Sequence, residues 1–216
     1  MVKKYKLYIF DLDGTLLDSD EMLRLAFHKL YQLYKPSDFK PDDEHILSFS
    51  GPQITETLLN EFPDQDQKLM LDEWTKYSQL YYEKSVKLYD GAYELIKSMF
   101  KRKINFCINT NKHRFATEYI LKFLKLDEFN IKCICANDVK NLKPNPEGIF
   151  LAMEKFNIKN KEDVIYIGDS IFDYLTAKNA GVDFGFVSWS PRKLPSDSKV
   201  DVLINNFHEF NKEFIE

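Results

Sequence analysis

No stretch of the 216 residues approaches the roughly 20 consecutive apolar residues that span a bilayer. The opening residues, Met1 to Tyr8, carry charge but no apolar run of signal-peptide length. A cytoplasmic protein without a membrane partner is therefore expected. Cysteine is scarce: the chain has three, an odd number at irregular spacing, which excludes a self-contained disulfide framework and fits a reducing compartment. Cys133 and Cys135 stand two apart in an apolar run, the spacing of small core residues on one face of a strand. Seven glycines and eight prolines are too few for a fibrous or low-complexity chain. There is no basic stripe either. Lys and Glu are interspersed and the formal net charge is -4, which argues against a nucleic-acid partner.

What is present is globular: 44% hydrophobic and 30% charged residues, over a length that suits one domain carrying a large insertion. The apolar run Leu7 to Phe10 reads as a buried strand ending in Asp11-Leu12-Asp13-Gly14-Thr15. From Leu16 to Val86 the pattern changes to helical spacing, as in Met22, Leu25, Ala26 and Leu30, interrupted by Pro36, Pro41, Pro52 and Pro63. After Asp90-Gly91 helices and strands alternate. Strands are expected at Ile104 to Asn109, Ile131 to Cys135, Val164 to Ile167 and Phe184 to Val187. Helices are expected through Leu95 to Met99, His113 to Leu124, Pro146 to Phe156 with Asn145 as N-cap, and Phe172 to Ala180 stopped by Gly181.

This order predicts an α/β fold: a Rossmann-like parallel sheet over residues 1–15 and 87–216, with an all-helical cap domain inserted at 16–86. Ligands of such sheets bind just beyond the C-terminal strand ends, so the polar residues found there are the candidates. They are Asp11 and Asp13 after the first strand and Thr110 and Asn111 after the second. Lys143 lies in the loop beyond the third, and Gly168-Asp169-Ser170 with Asp173 follow the fourth. Taken singly, each has an ordinary reading as a turn residue, an N-cap or a solvated lysine.

Taken together and in this order, they resemble the four motifs of the haloacid dehalogenase-like hydrolase superfamily, whose first signature is D-x-D-x-T. The resemblance covers nearly the whole chain. It implies a phosphohydrolase in which Asp11 is the nucleophile, forming an aspartyl-phosphate, and Asp13 is the general acid and base. It further implies Mg2+ bound by Asp11, the main-chain carbonyl of Asp13, and Asp169, with Asp173 in support. Lys143 would neutralise the transferring phosphoryl group, and Thr110 and Asn111 would contact it. The chemistry explains the residue types, because cleavage of an anionic phosphate ester depends on positioning and charge neutralisation.

An insert between the first and second motifs resembles the cap of phosphoglycolate phosphatases, pyrophosphatases, small-sugar phosphatases and beta-phosphoglucomutase. It implies that selectivity resides in the cap, where Ser50-Gly51-Pro52 resembles a substrate-facing turn and makes Gly51 a candidate contact. His45 reads as structural or solvated, and Trp74, Tyr77, Tyr81 and Tyr82 as packing inside the cap. The expected substrate is a small phosphorylated metabolite, taken by a monomer or a dimer. A sugar phosphomutase on the same scaffold is the alternative, and a non-enzymatic binding module is a further one. Asp13 argues against halide chemistry.

Overall fold

The computed structural model describes residues 3–216. The chain divides into two compact units, one of residues up to Leu17 together with Leu88–Glu216, the other Asp18–Lys87.

In chain order the elements are β1 (Leu7–Phe10), β2 (Leu17–Asp18), α1 (Asp20–Tyr34), α2 (Asp43–Leu47), α3 (Ile54–Glu61), α4 (Gln67–Ser85) and β3 (Lys87–Leu88). There follow α5 (Ala92–Lys101), β4 (Phe106–Asn109), α6 (Arg114–Phe123), β5 (Lys132–Ile134), α7 (Glu147–Lys155), β6 (Val164–Gly168), α8 (Ile171–Ala180), β7 (Asp183–Val187), β8 (Val202–Ile204) and α9 (Phe207–Phe210).

The larger unit is built on a six-stranded sheet in the order β5-β4-β1-β6-β7-β8, parallel throughout. β1 sits centrally because its four residues, Leu-Tyr-Ile-Phe, are all buried and supply apolar surface to both faces of the sheet. Leu7 and Ile9 pack with Ile149, Ala152, Tyr174 and Ala177. Tyr8, on the opposite face, meets the Phe210 ring edge-on at 6.2 Å and donates its hydroxyl to the Phe214 carbonyl at 3.2 Å. Each fully buried aliphatic or aromatic side chain here stabilises the fold by about 1.5–3 kcal/mol.

Phe10 is level with Ile108 on one neighbour and Ile167 on the other, and Asp11 N then donates to Ile167 O at 2.8 Å. The chain therefore delivers Asp11 at the strand end where the sheet order diverges from β1 toward β4 and toward β6, the switch point of an open α/β sheet.

The smaller unit is helical. α1 and α4 are its principal pair, held by a ring cluster in which Phe27 lies 4.6 Å from Phe49, 5.0 Å from Trp74 and 5.9 Å from Tyr31. Tyr77 and Tyr82 are buried there as well. The His45 ring is exposed and bonds Glu61 Oε1 at 2.8 Å.

Several local expectations shift. Pro146 takes the N-cap position of α7, not its first turn, and Asn145 Oδ1 accepts from Glu147 N at 3.0 Å. Cys133 lies in β5, whereas Cys135 falls one residue past its end; Cys107, Cys133 and Cys135 are all free thiols, and burial raises the pKa of each, that of Cys133 to about 12. β8 and the paired two-residue strands β2 and β3 carry no sequence signal strong enough to be read in advance.

Candidate active site

Five loops at the C-terminal edge of the sheet, those after β1, β4, β5, β6 and β7, bring their polar residues together. β1 ends at Asp11, which is only 5% exposed. Its Oδ1 accepts from Lys143 Nζ at 2.5 Å, and the same ammonium donates to Asp173 Oδ1 at 2.7 Å. The Lys143 side chain is 3% exposed, so this is a buried ion triad and not a surface pairing.

Lys143 is also fixed through its backbone. Asn111 Oδ1 accepts from Lys143 N at 3.0 Å, and Asn111 Nδ2 donates to Lys143 O at 3.3 Å. Asn111, a candidate substrate contact, thus also positions the lysine loop. Thr110 is buried beside it and its Oγ1 accepts from Lys112 N at 3.2 Å.

The sequence Ser170-Ile-Phe-Asp173 forms a capping box at the start of α8, which orients Asp173. Asp173 Oδ2 accepts from Asp169 N, Ser170 N and Ser170 Oγ at 3.2, 3.1 and 2.6 Å. Its Oδ1 accepts from Lys143 and, at 3.3 Å, from the buried Tyr166 hydroxyl. Asp173 therefore commits both oxygens to the protein. Gly168 makes this possible, since a Cβ there would lie 2.3 Å from that of Asp173.

Asp169 is buried, and its Oδ2 accepts from Ser190 Oγ at 2.9 Å and Arg192 Nη1 at 2.8 Å. Gly14 provides the wall opposite. Its φ of +85° falls in the left-handed range, and a Cβ would stand 2.1 Å from Asp169 Oδ2, so only glycine fits. Asp13 is more open than Asp11: its Oδ2 pairs with Lys112 Nζ at 3.1 Å, and its Oδ1 is buried without a hydrogen-bond partner among the described residues.

Ligand oxygens of Asp11, Asp169 and Asp173 lie within 4.8 Å of one another, a group that could hold a metal ion. Charge favours this. When all three are ionised, these buried carboxylates face one buried cation, Lys143, and one partly buried cation, Arg192, leaving one negative charge in excess. Burial raises the pKa of Asp11 well above the carboxylate range against the attraction of Lys143, and raises that of Asp169 to about 7 against Arg192. Burial disfavours the Lys143 ammonium, but Asp11 and Asp173 outweigh it and hold the lysine protonated. A hard divalent cation suits this all-oxygen donor set and relieves the excess charge.

Gly51 belongs to the helical unit, in the turn before α3, with a φ of +117°. Four residues of the site went unnamed in the sequence reading: Lys112, Tyr166, Ser190 and Arg192. Ser190 and Arg192 follow the end of β7 within five residues, so the strand-end rule extended to that strand points to them. Tyr166, within an apolar strand, looks like any other core residue.

Comparison with known proteins agrees with this arrangement. Residues 8–187 match the family model described as haloacid dehalogenase-like hydrolase. Pyrophosphatase PpaX of Halalkalibacterium halodurans is 33% identical over 184 residues, covering 85% of this chain and 84% of that protein. Pyrophosphatase PpaX of Bacillus cereus strain B4264 is 30% identical, with coverage of 84% and 82%. A solved structure from Bacteroides fragilis, described as a haloacid dehalogenase-like hydrolase, superposes with a TM-score of 0.82 at 26% identity, covering 96% of this chain and all of the other. CbbY from Rhodobacter sphaeroides, solved in complex with phosphate, shares the fold with a TM-score of 0.78 at 20% identity, covering 95% and 96%. Among the described residues no helix is long and apolar enough to cross a membrane.

Proposed function

Because the chain belongs to the haloacid dehalogenase-like hydrolases, we propose that it is a magnesium-dependent phosphatase that hydrolyses a small phosphorylated metabolite through a phosphoryl group carried on Asp11. The observation that carries this reading is the seating of Asp11, a buried carboxylate anchored at 2.5 Å by a buried lysine at the switch point of the sheet. A nucleophile held this way attacks without first being reorganised.

Asp11 attacks phosphorus and the bond to the leaving oxygen breaks, with Asp13 donating the proton that oxygen needs. Asp13 then takes a proton from water as that water attacks the phosphoryl-aspartate, releasing inorganic phosphate and restoring Asp11. Lys143 beside Asp11 would offset charge on the phosphoryl oxygens, and Thr110 would donate to them. Lys112 keeps the Asp13 carboxylate oriented. Magnesium, held by Asp11, the Asp13 carbonyl and Asp169, would neutralise the substrate phosphate, with Asp173 holding Lys143 and the Asp169 loop in place. Selectivity among phosphate esters is assigned to the helical unit and its Gly51-Pro52 turn.

The test is a panel of phosphorylated metabolites assayed for release of inorganic phosphate. It should include phosphoanhydrides, since two relatives bear the name pyrophosphatase. Release should vanish after chelation and return with magnesium. Full activity after exhaustive chelation, or transfer of phosphate to a sugar instead of water, would count against the reading.

Asp169 adds a pH dependence. Its folded-state pKa of about 7 lies above the ordinary 3.8, so between these values the folded protein holds a proton that the unfolded chain has released. The metal-free protein should therefore lose stability as pH rises through that window. Magnesium competes with this proton, so the rise in melting temperature that it produces should grow over the same window and level off above it. Calorimetry with and without magnesium from acid to neutral pH measures both slopes. A magnesium effect that shrinks with rising pH would contradict the assignment.

A further inference from the structure

The mechanism above makes no use of Tyr166, a fully buried residue of β6 that stands level with Ile9 of the neighbouring β1. Its hydroxyl reaches Asn109 O, at the end of β4, at 3.1 Å, so the side chain spans from one neighbour of β1 to the other. The same hydroxyl lies 3.3 Å from Asp173 Oδ1, the oxygen on which the Lys143 ammonium rests at 2.7 Å. A core position needs no hydroxyl, and a buried one is costly unless it is partnered. The Asn109 carbonyl would be partner enough. The second acceptor, Asp173, belongs to the candidate active site.

We propose that Tyr166 is a positioning residue: its hydroxyl fixes the Asp173 oxygen that seats Lys143, and so sets where the ammonium meets the transferring phosphoryl group. The inference rests on the reading of Lys143 as the cation that neutralises that group. From its own turn Asp173 is held at one oxygen only, since Asp169 N, Ser170 N and Ser170 Oγ all donate to Oδ2. Oδ1 therefore takes its place from Lys143 and Tyr166. A lysine head on a four-carbon stem follows a carboxylate more than it fixes one. Tyr166 has only two side-chain torsions, and its ring packs in the core cluster with Ile9, Ile149, Tyr174 and Ala177, which makes its hydroxyl the rigid point. Burial raises the pKa of that hydroxyl and keeps it a donor. The ammonium also stands 2.5 Å from Asp11 Oδ1, so any drift of Asp173 Oδ1 carries over to the charge beside the nucleophile. Small displacements of this kind are costly in rate.

The experiment pairs kinetics with a direct view of the ammonium. Release of inorganic phosphate from p-nitrophenyl phosphate with magnesium is compared between wild type and Tyr166→Phe, which keeps the ring and its packing and loses only the hydroxyl. The kcat per folded protein should fall roughly 10-fold, with KM within about 2-fold of wild type. Heteronuclear NMR of protein labelled at lysine nitrogen then reports on Lys143, whose buried ammonium gives a signal that Lys143→Arg deletes and so assigns. That signal should move in Tyr166→Phe. A hydroxyl that serves only the Asn109 carbonyl would leave it in place. A fall in kcat with an unmoved ammonium signal would overturn the proposal, as would an unchanged kcat. Full turnover by Lys143→Arg would instead overturn the role given to Lys143, and this inference with it, while the phosphatase reading stands. No release by wild type on this ester or on the metabolite panel would remove that reading as well. Circular dichroism of each variant confirms that it is folded.

Discussion

Lys143→Met should destabilise the protein by about 3–5 kcal/mol at neutral pH, the usual consequence of removing one partner from a buried ion cluster. The ammonium is the bridge between Asp11 and Asp173, and without it both carboxylates face each other in a buried space. The loss should depend on pH with a definite sign. Burial already raises the Asp11 pKa, and Lys143 is the largest influence lowering it, so deleting the lysine raises it further. The variant's Asp11 then holds a proton in the folded state that the unfolded chain gives up, and its deficit relative to wild type should be smaller at acid pH than at alkaline pH. Urea unfolding at two pH values measures this. An unchanged midpoint, or a deficit that is larger in acid, would mean that the triad is not a charged unit.

The second large effect separates the two aspartates of the Asp11-Leu12-Asp13 turn. Asp11→Asn keeps the shape and the hydrogen-bonding reach of the side chain but removes the nucleophile, so turnover should fall by at least about 10⁴-fold while substrate still binds. Asp13→Ala keeps the nucleophile and removes the group that activates water. Breakdown of the phosphoenzyme should slow by roughly 10²–10⁴-fold. Formation should slow less when the leaving group is already acidic and needs little protonation. Single-turnover kinetics with such an activated ester resolves the two steps. Equal slowing of both steps by Asp13→Ala would remove the acid-base division of labour.

Much of this was legible in the sequence because the physics that places the site also marks it. Each of the runs Leu7–Phe10, Phe106–Asn109 and Val164–Gly168 is buried along its whole length. A polar residue directly after such a run has to lie at the sheet edge, which is how Asp11, Thr110 and Asp169 stand out. Gly14 and Gly168 could be seen as turn residues, but not as the cradles of Asp169 and Asp173: the first contact joins two separate strand ends, and the second depends on how the turn from β6 into α8 folds back on Gly168. The hold of Asn111 on the lysine loop was hidden because its partner Lys143 is 32 positions away, and only folding brings them together.

β8 eluded the sequence reading. It has three residues, one of them exposed Leu203, between Asp201 and Asn205, too short and too polar in context to stand out as a strand. Tyr166 is hidden by its surroundings, since nothing in an apolar strand distinguishes a hydroxyl that reaches Asp173 from one that reaches backbone alone. Arg192 follows a strand end as Asp169 does, but at a distance of five residues the loop between decides where it points.

The central claim is that Asp11 carries the phosphoryl group, and trapping that group tests it most directly. Asp13→Ala protein mixed with an activated phosphate ester and magnesium, quenched in acid and digested, should yield a phosphorylated peptide in which Asp11 bears an acid-stable, base-labile phosphoryl mass. The same treatment of the Asp11→Asn, Asp13→Ala double variant should yield none. A label on any other residue, or on the double variant, would contradict the account.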